Sequence, residues 1–493
     1  MDNYRSATNP ETRATVEKQI IEELEHGNYI ITDKKPCIVS AIGAIPKPNT
    51  TDIRIIHDCS HPVGSSVNDF ASCDPMKYQN LDEAVKMSSH RCYYAKLDLK
   101  SAYRSVNIHP DDYPLTGLKW YFNQNSATYM YDTKLPFGAR KSPGIFNRLT
   151  QCVKRMMINK GFSKIIAYLD DFLIISDNKE ECRQGLSTLI FLLRKLGFKI
   201  NWKKVVDPCQ VITFLGIELN SLNQTLSLPS EKLCETKDLI NDFAKRTRAS
   251  KRQLQSLAGK LNWTCQVVRG GRSYLRRILD LMNQLKQPYH KIKLTKEFKA
   301  DISWWQNFLK IFNGKAMFIK QSLVNCVQID ACNMGSGVSF QDDWLYTNWT
   351  YDWPEMAKCH INLKEAASVI LAARRWAPYW SNSCVYIYSD SQCTVSMINK
   401  GSTKSPMVMD GLRELFWLSA IYNFHVKCLY IPGHVNHTPD AISRLHQPGQ
   451  FVRLQTVLRE RGGTLHPLTL RHHMSNKSLS FLIPQICKWL AWN

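Results

Sequence analysis

The chain has 493 residues, of which 44% are hydrophobic, and a formal net charge of +22 at pH 7, so it is long enough for several packed domains. So large a positive excess points to a polyanionic partner, and nucleic acid is the first candidate. The 16 cysteines include no Cys-x-x-Cys pair, which argues against a zinc module and a disulfide scaffold and favours a reducing compartment inside the cell, cytoplasmic or nuclear. The polar N-terminus and the lack of a run of about 18 apolar residues predict neither a signal peptide nor a membrane partner.

The first part of the chain alternates predicted helices and strands. A helix is predicted from Arg13 to His26, followed by two strands with a polar turn between Cys37 and Ser60. The segment from Cys92 to Leu99 is predicted as a strand. A long helix follows, with Ser142 as its expected N-terminal cap, and a further helix is expected to end at Gly197. This mixture predicts an α+β architecture.

Two adjacent carboxylates, Asp170 and Asp171, interrupt the apolar stretch IIAYLDDFLIIS. Burying an unpaired ionised carboxylate costs several kcal/mol, so a positive charge must compensate. Neighbouring side chains of a strand point to opposite faces, so both acids share one site only if the chain turns there, which predicts a hairpin tip. Asp98 ends a predicted strand and offers a third carboxylate. The three acids predict a site for two Mg²⁺ ions, a combination suited to phosphoryl transfer.

The second part of the chain changes character twice. Residues 230–300 contain 17 Lys or Arg against 6 Asp or Glu, a net charge of +11, and their pattern is helical. Such an imbalance favours a surface that tracks phosphates, although a solvated helix face is the simpler alternative. From about residue 322 strands and helices alternate as in an α/β sandwich. Its acids Asp330, Glu365, Asp390 and Asp440 lie mostly at strand ends or helix starts, where acids from different segments can converge.

Five segments, in the same order, resemble the motifs of reverse transcriptases: KLDLKSAYRSVNI, LPFGARKSPGIFN, AYLDDF, LRKLGFKINWKKV and FLGIEL. This resemblance implies a right-hand polymerase, with fingers and palm in residues 1–229 and a basic helical thumb and connection in residues 230–321. It assigns two Mg²⁺, with Mn²⁺ as a substitute, to the ligands Asp98, Leu99, Asp170 and Asp171.

The same resemblance implies contacts to substrates. Tyr103 would lie under the incoming sugar and exclude a 2′-hydroxyl, and Phe137 would lie near the nucleotide and the template. Lys47 and Arg54 would hold the triphosphate, and either Lys203 or Lys204 would give a proton to the pyrophosphate. The expected nucleic-acid contacts at the primer end and in the thumb are Phe214, Leu215, Gly216, Arg269, Arg272, Arg276 and Arg277.

The α/β segment, residues 322–446, resembles ribonuclease H, which uses four acids and two Mg²⁺ to cut RNA paired to DNA. This resemblance assigns the acids to Asp330, Glu365, Asp390 and Asp440, and makes His434 a candidate catalytic histidine with His437 as its competitor. Residues 447–493 form a basic tail of unknown role.

The segments DCSHPVGSSVNDF, GKLNWTCQVVRGGRSYLRRILDL and ISWWQNFL resemble DIRS-type retrotransposons, with Gypsy-type elements next. The implied function is RNA-directed DNA synthesis plus ribonuclease H activity on an RNA template, a DNA primer, deoxynucleoside triphosphates and an RNA–DNA hybrid. A separate recombinase or integrase is expected. A catalytically inactive RNA-binding scaffold is the alternative, and an RNA-dependent RNA polymerase is a third interpretation.

Overall fold

The computed structural model describes residues 2–46, 53–72, 76, 78–122, 126–268, 270–311, 315–317, 322–381, 383–422 and 424–460, with backbone alone at 311, 315–317, 322, 420 and 457–460. The chain divides into two compact units after Gln224. Lys47 and Arg269 lie outside the described residues, as does most of the tail from 461 onward. Within the described ranges, no helix has both the length and the apolar character needed to cross a membrane.

The first unit combines helices with two sheets and a hairpin. Its helices are α1 (Arg5–Thr8), α2 (Pro10–Glu25), α3 (Val67–Phe70), α4 (Leu81–Met87), α5 (Ser142–Asn159) and α6 (Lys179–Lys195). Its strands are β1 (Tyr29–Thr32), β2 (Val39–Pro46), β3 (Ile53–Asp58), β4 (Tyr93–Asp98), β5 (Gly117–Trp120), β6 (Thr128–Asp132), β7 (Ile165–Tyr168), β8 (Asp171–Ser176), β9 (Val206–Cys209), β10 (Val211–Phe214) and β11 (Ile217–Asn220). One sheet has the order β1-β6-β5-β2-β3 and the other β7-β8-β4-β9.

The sheet β7-β8-β4-β9 is the platform of the first acidic site. Helices α5 and α6 pack on it through a core that includes Phe146, Phe172 and Leu189, all fully buried. Helix α6 ends before Gly197, whose φ of +82° is a conformation that glycine adopts at little cost. The expected cap at Ser142 is wrong: Ser142 is the first residue of α5, and its hydroxyl donates to the carbonyl of Pro136 at 2.9 Å.

The second unit begins with helices and short strands and continues into an α/β layer. The first group is β12 (Thr225–Ser227), α7 (Ser230–Lys245), β13 (Arg248–Ser250), α8 (Lys251–Thr264), α9 (Arg276–Asn283), β14 (Lys291–Lys293), α10 (Lys296–Ile311) and β15 (Lys315–Met317). The second group is β16 (Ser322–Ala331), β17 (Gly335–Phe340), β18 (Asp343–Asn348), α11 (Trp349–Asp352), α12 (Pro354–Ala357), α13 (Ile361–Trp376), β19 (Ser383–Ser389), α14 (Gln392–Lys400), α15 (Pro406–Tyr422), β20 (His425–Tyr430), α16 (His437–Ser443) and α17 (Gln450–Glu460).

The α/β layer is built on a sheet with the order β18-β17-β16-β19-β20. Strands β16, β19 and β20 run parallel, whereas β17 and β18 are antiparallel additions. Parallel neighbours need crossover connections, which helices α13 and α15 help to provide, and both helices contribute to the core under the sheet. The ends of β16 and β19 therefore meet at one edge, where two of the predicted acids lie.

A buried ion-pair group joins the helical and α/β parts within this unit. Arg413 of α15, only 5% exposed, lies with Nη1 2.7 Å from Asp410 and Nη2 3.5 Å from Asp301 of α10. Arg277 binds the same Asp301 at 2.9 Å. Trp304 of α10 packs against Phe416 of α15, with ring centroids 5.4 Å apart. The two parts consequently share one core, although the sequence predicts a domain boundary between residues 321 and 322.

Candidate active sites

The carboxylate doublet lies at a hairpin tip, as its sequence context predicts. Strands β7 and β8 pair antiparallel with Tyr168 opposite Asp171, so Leu169 and Asp170 form the turn. Leu169 has a φ of +51°, which is uncommon for a residue other than glycine and marks a tight, constrained turn. On the other side of β8, Asp98 pairs directly with Asp171. Directly opposed residues have Cβ atoms about 4.5–5.5 Å apart, so this register brings two acids to one face of the sheet beside Asp170.

Side chains of the same unit balance part of this negative charge. Asn201 donates to Asp98 Oδ1 at 2.9 Å, and Lys204 Nζ lies 3.0 Å from Asp98 Oδ2. Lys96 Nζ lies 3.4 Å from Asp171 Oδ1. Burial raises the pKa of Asp170, and burial also raises that of Asp171 while Lys96 opposes the shift. Of the two predicted proton donors, the structure thus brings Lys204 to the acids.

Two glutamines that the sequence analysis did not single out hold the edge strand before the doublet. The N–H of Ala167 in β7 donates to Gln79 Oε1 at 3.0 Å, and Gln151 Nε2 donates to the Ala167 carbonyl at 3.1 Å. Ala167 is fully buried, and β7 is the edge of its sheet, so its outward N–H and C=O have no neighbouring strand. The two amides take that place and fix the chain immediately before the turn.

Arg54 of β3 and two aromatic residues, Phe137 and Tyr103, form a row of ring contacts. The guanidinium of Arg54 lies 4.8 Å above the ring of Phe137, and Phe137 in turn lies 5.5 Å from the ring of Tyr103. Burial raises the pKa of the Tyr103 hydroxyl to about 12, so it stays a neutral phenol. Gly138 follows with a φ of +140°, and a Cβ there would come within 1.9 Å of the His57 carbonyl oxygen. Only glycine allows this loop to approach the backbone of His57 in β3 so closely.

The residues predicted to contact nucleic acid differ in their exposure to solvent and in their partners. Leu215 and Gly216 form the turn between β10 and β11, with φ values of +49° and +82°, but the side chain of Phe214 is fully buried. In the segment predicted as the thumb, Arg272 is exposed, whereas Arg276 pairs with Asp280 at 2.7 Å.

The structure does not present Phe214 and Arg277 as the predicted contacts to nucleic acid. The Phe214 ring cannot reach a primer in this structure, because burial withdraws it from the surface. Arg277 belongs to the internal ion-pair group around Asp301 rather than to an exposed phosphate-binding surface.

Leu99, predicted with the metal ligands, has a buried side chain, and its N–H donates to the Asp170 carbonyl at 3.0 Å. Its carbonyl oxygen is the atom that remains suited to a metal.

A second acidic cluster lies at the edge of the α/β sheet. Asp330 near the end of β16, Glu365 on α13 and Asp390 just after β19 have ligand atoms that all lie within 4.8 Å of one another. Burial raises the pKa of Asp330 to about 7, and burial with the charge of Asp330 raises that of Glu365 to about 9. Three carboxylates this close, poorly hydrated and mutually repelling, form the oxygen donor set that a divalent cation fits. Within the described residues no other group of acids, cysteines or histidines meets this closely.

The fourth predicted acid stands apart from this cluster. Helix α16 packs on β17 so closely that a Cβ on Gly337 would come within 2.1 Å of the Pro439 carbonyl. The Asp440 carboxylate on this helix binds Arg444 Nε at 2.8 Å through Oδ1 and Arg453 Nη1 at 3.1 Å through Oδ2. Both His434 and His437 are exposed. His434 follows Gly433, where a Cβ would lie 3.1 Å from Asp390 Oδ2, so its loop adjoins the cluster.

Comparison with known families decides the nature of the first unit. The family model described as "Reverse transcriptase (RNA-dependent DNA polymerase)" matches residues 45–219, the segment that contains both the paired acids and the row of ring contacts. Residues 45–219 form a reverse transcriptase domain. Domains of this kind occur in the Pol proteins of retroviruses and retrotransposons, and the relatives of this chain are of both types.

These relatives are long polyproteins. The chain is 25% identical over 380 residues to a putative enzymatic polyprotein of Cassava vein mosaic virus, covering 74% of this chain and 54% of the relative. It is 22% identical over 475 residues to a retrovirus-related Pol polyprotein from transposon opus of Drosophila melanogaster, covering 90% and 43%. The Gag-Pol polyprotein of Gibbon ape leukemia virus is 27% identical over 190 residues, which is 11% of its length. The chain thus spans about half or less of the relatives it matches.

Solved structures extend the likeness in fold beyond the reverse transcriptase domain. A foamy viral protease-reverse transcriptase in complex with RNA/DNA hybrid has a TM-score of 0.54 at 17% identity, covering 88% of this chain and 55% of the other. A second structure of that foamy viral protein, with double-stranded DNA, also has a TM-score of 0.54, at 16% identity, covering 87% and 74%. At this identity the likeness concerns the fold alone.

Proposed function

We propose that this chain copies RNA into DNA with its first unit and degrades the RNA strand of the resulting hybrid with its second. The single observation that carries the proposal is the register that sets Asp98 opposite Asp171, beside Asp170 at the turn, inside a reverse transcriptase domain. Acids from two sequence-distant strands meet there on a rigid sheet, which is what precise positioning of a phosphoryl-transfer site needs.

In the polymerase site, Asp98, Asp170 and Asp171 would hold Mg²⁺, which when bound supplies the positive charge that phosphoryl transfer requires. Arg54 faces the same space from the fingers and binds the triphosphate. Lys204, whose ammonium contacts Asp98, delivers a proton to the departing pyrophosphate. Tyr103, braced by Phe137, lies under the sugar and selects deoxynucleotides by excluding a 2′-hydroxyl.

In the nuclease site, Asp330, Glu365 and Asp390 would hold the cation, and Asp440 would join them as the fourth acid. Mg²⁺ bound there would supply charge for cutting a ribose-phosphate chain. The backbone of Gly433, next to His434, lies close to Asp390, which supports His434 as the histidine that would move a proton to or from the reacting groups. His437 begins α16 and faces solvent three residues before Asp440. Both histidines are exposed, so the choice of His434 rests on the position of its loop next to Asp390.

The partners follow from these two activities. They are an RNA template, a DNA primer, deoxynucleoside triphosphates and the hybrid product, and contact through phosphates should weaken steeply with salt. The DIRS-type affiliation remains part of the proposal, supported by the sequence segments that resemble those elements, and it implies a separate recombinase for integration. The expected location inside the cell, cytoplasmic or nuclear, is likewise part of it.

The test is primer extension on an RNA template together with cleavage of an RNA–DNA hybrid, using wild type, Asp170→Asn and Asp390→Asn. Asp170→Asn should lower DNA synthesis by at least about 10²–10³-fold and leave hybrid cleavage intact, because one set of metal ligands is lost while the other is untouched. Asp390→Asn should do the reverse. If both activities survive both substitutions, the assignment of sites is wrong.

An inactive RNA-binding scaffold is the competing function. It predicts that at least one catalytic acid is missing from the sequence, yet all seven are present, and three acids of each site lie together. The scaffold would bind RNA and incorporate no nucleotide under any metal condition, so the wild-type primer extension separates the two functions.

A further inference from the structure

The segment after residue 446, predicted as a tail of unknown role, begins with helix α17, which is docked beside the nuclease cluster. Leu454 of α17 is fully buried against Ala441 and Ile442 of α16, and Trp344 and Tyr346 of β18 pack around this contact. The preceding residue, Arg453, extends to Asp440 Oδ2 at 3.1 Å. Because Leu454 anchors the helix, Arg453 is delivered to Asp440 by the packing of α17.

Asp440 has its two carboxylate oxygens occupied by two different arginines. Arg444 lies one turn further along α16 and reaches Oδ1 at 2.8 Å, a local contact between residues i and i+4. Arg453 comes from another helix and takes Oδ2. The backbone of α16 is held by its close approach to Gly337, so only the side chain of Asp440 can turn towards the cluster.

We propose that Arg453 is a positioning residue that competes with the divalent cation for Asp440. While Arg453 holds Oδ2, Asp440 cannot offer that oxygen to a metal bound by Asp330, Glu365 and Asp390. Asp440 joins the metal site when this ion pair opens, so the docking of α17 tunes the metal affinity of the nuclease cluster. This inference rests on the proposed nuclease function.

The experiment measures Mn²⁺ binding by electron paramagnetic resonance in the full chain, with Asp170→Asn and Asp171→Asn present to weaken the polymerase site. In this background, Arg453→Gln should tighten Mn²⁺ binding about two- to fivefold, the worth of a half-exposed ion pair. Lys404→Gln, which removes the same charge from an exposed loop of the same unit, is the matched control and should change binding little.

The decisive arm is a double-mutant cycle with Asp440→Asn. If Arg453 acts through Asp440, then Arg453→Gln has no effect on Mn²⁺ affinity once Asp440 is replaced. An equal tightening with and without Asp440 would show a general charge effect and overturn the inference, as would weaker binding in Arg453→Gln. Mn²⁺ binding that Asp390→Asn does not reduce would instead reject the metal centre of the proposed nuclease, so the two failures are distinguishable.

Discussion

The two acidic clusters of this chain handle their negative charge in opposite ways. In the first, Lys204 lies on Asp98 and Lys96 lies near Asp171, so cations of the chain itself balance part of the charge. In the second, three carboxylates meet within 4.8 Å, and the neighbouring arginines go to Asp440 instead. Burial accordingly raises the pKa of Glu365 to about 9.

The difference indicates how each site is made ready for a metal. In the first, Lys204, Asn201 and Lys96 already offset part of the charge of Asp98 and Asp171 before a metal binds. In the second cluster, the raised pKa values of Asp330 and Glu365 favour their protonated, neutral forms, and a divalent cation must displace those protons to bind. A metal should therefore stabilise the fold more through the second cluster than through the first. Three substitutions probe the two sites, and the last of them, Glu365→Gln, tests this contrast directly.

The largest effect is expected at Lys204. Lys204→Ala removes the ammonium that lies 3.0 Å from Asp98 and that we assign to proton delivery, so DNA synthesis should fall by about 10²-fold, mainly in kcat. Lys203→Ala, one residue away, is the matched control and should change the rate little. Single-nucleotide incorporation under saturating nucleotide measures both variants, and a greater loss in Lys203→Ala would transfer the role to that residue.

A smaller loss is expected at the amide that supports the catalytic hairpin. Gln151→Leu leaves the buried Ala167 carbonyl without its donor, which costs about 1–3 kcal/mol and loosens the strand before Asp170. DNA synthesis should fall by about tenfold while hybrid cleavage stays unchanged.

Gln306→Leu is the matched control, because its amide donates to Asn241 at an exposed surface. Primer extension across a range of Mg²⁺ concentrations should show a higher half-saturating concentration for Gln151→Leu alone. An unchanged metal requirement in Gln151→Leu would mean that the hairpin keeps its geometry without this support.

The smallest effect concerns stability and metal removal. The folded chain keeps a proton on Glu365 between pH 4.5 and about 9, whereas the unfolded chain loses it, so without metal the free energy of unfolding falls as the pH rises across this window. In EDTA at pH 8, Glu365→Gln should therefore raise Tm by about 2–4 °C for each kcal/mol regained.

Mg²⁺ should stabilise the wild type and have less effect on Glu365→Gln. Glu231→Gln, at an exposed position of the same unit, serves as the control and should keep the full Mg²⁺ response. Thermal unfolding with and without Mg²⁺ provides the measurement. An identical Mg²⁺ shift in wild type and Glu365→Gln would place the stabilising metal elsewhere.

The sequence allowed the hairpin tip to be predicted because a polar doublet between two apolar runs has few other places in a folded chain. It did not yield the register that pairs Asp98 with Asp171, since strand pairing depends on which segments meet in space. For the same reason it left Lys203 and Lys204 equivalent, and it gave no sign that Phe214 would be buried. The contacts of Gln79 and Gln151 with Ala167 could not be predicted, because the sequence around a glutamine does not indicate which backbone group its amide will bind.

The ion-pair group around Arg413 has a practical consequence for anyone who wants the nuclease alone. A fragment starting near residue 322 would discard Asp301 and leave the buried guanidinium of Arg413 with Asp410 as its remaining partner in this group, which should destabilise the fragment. It would also remove Trp304, whose ring lies 5.4 Å from that of Phe416. A stable fragment of the nuclease should therefore begin upstream of α7, so that it includes the helical part of the second unit.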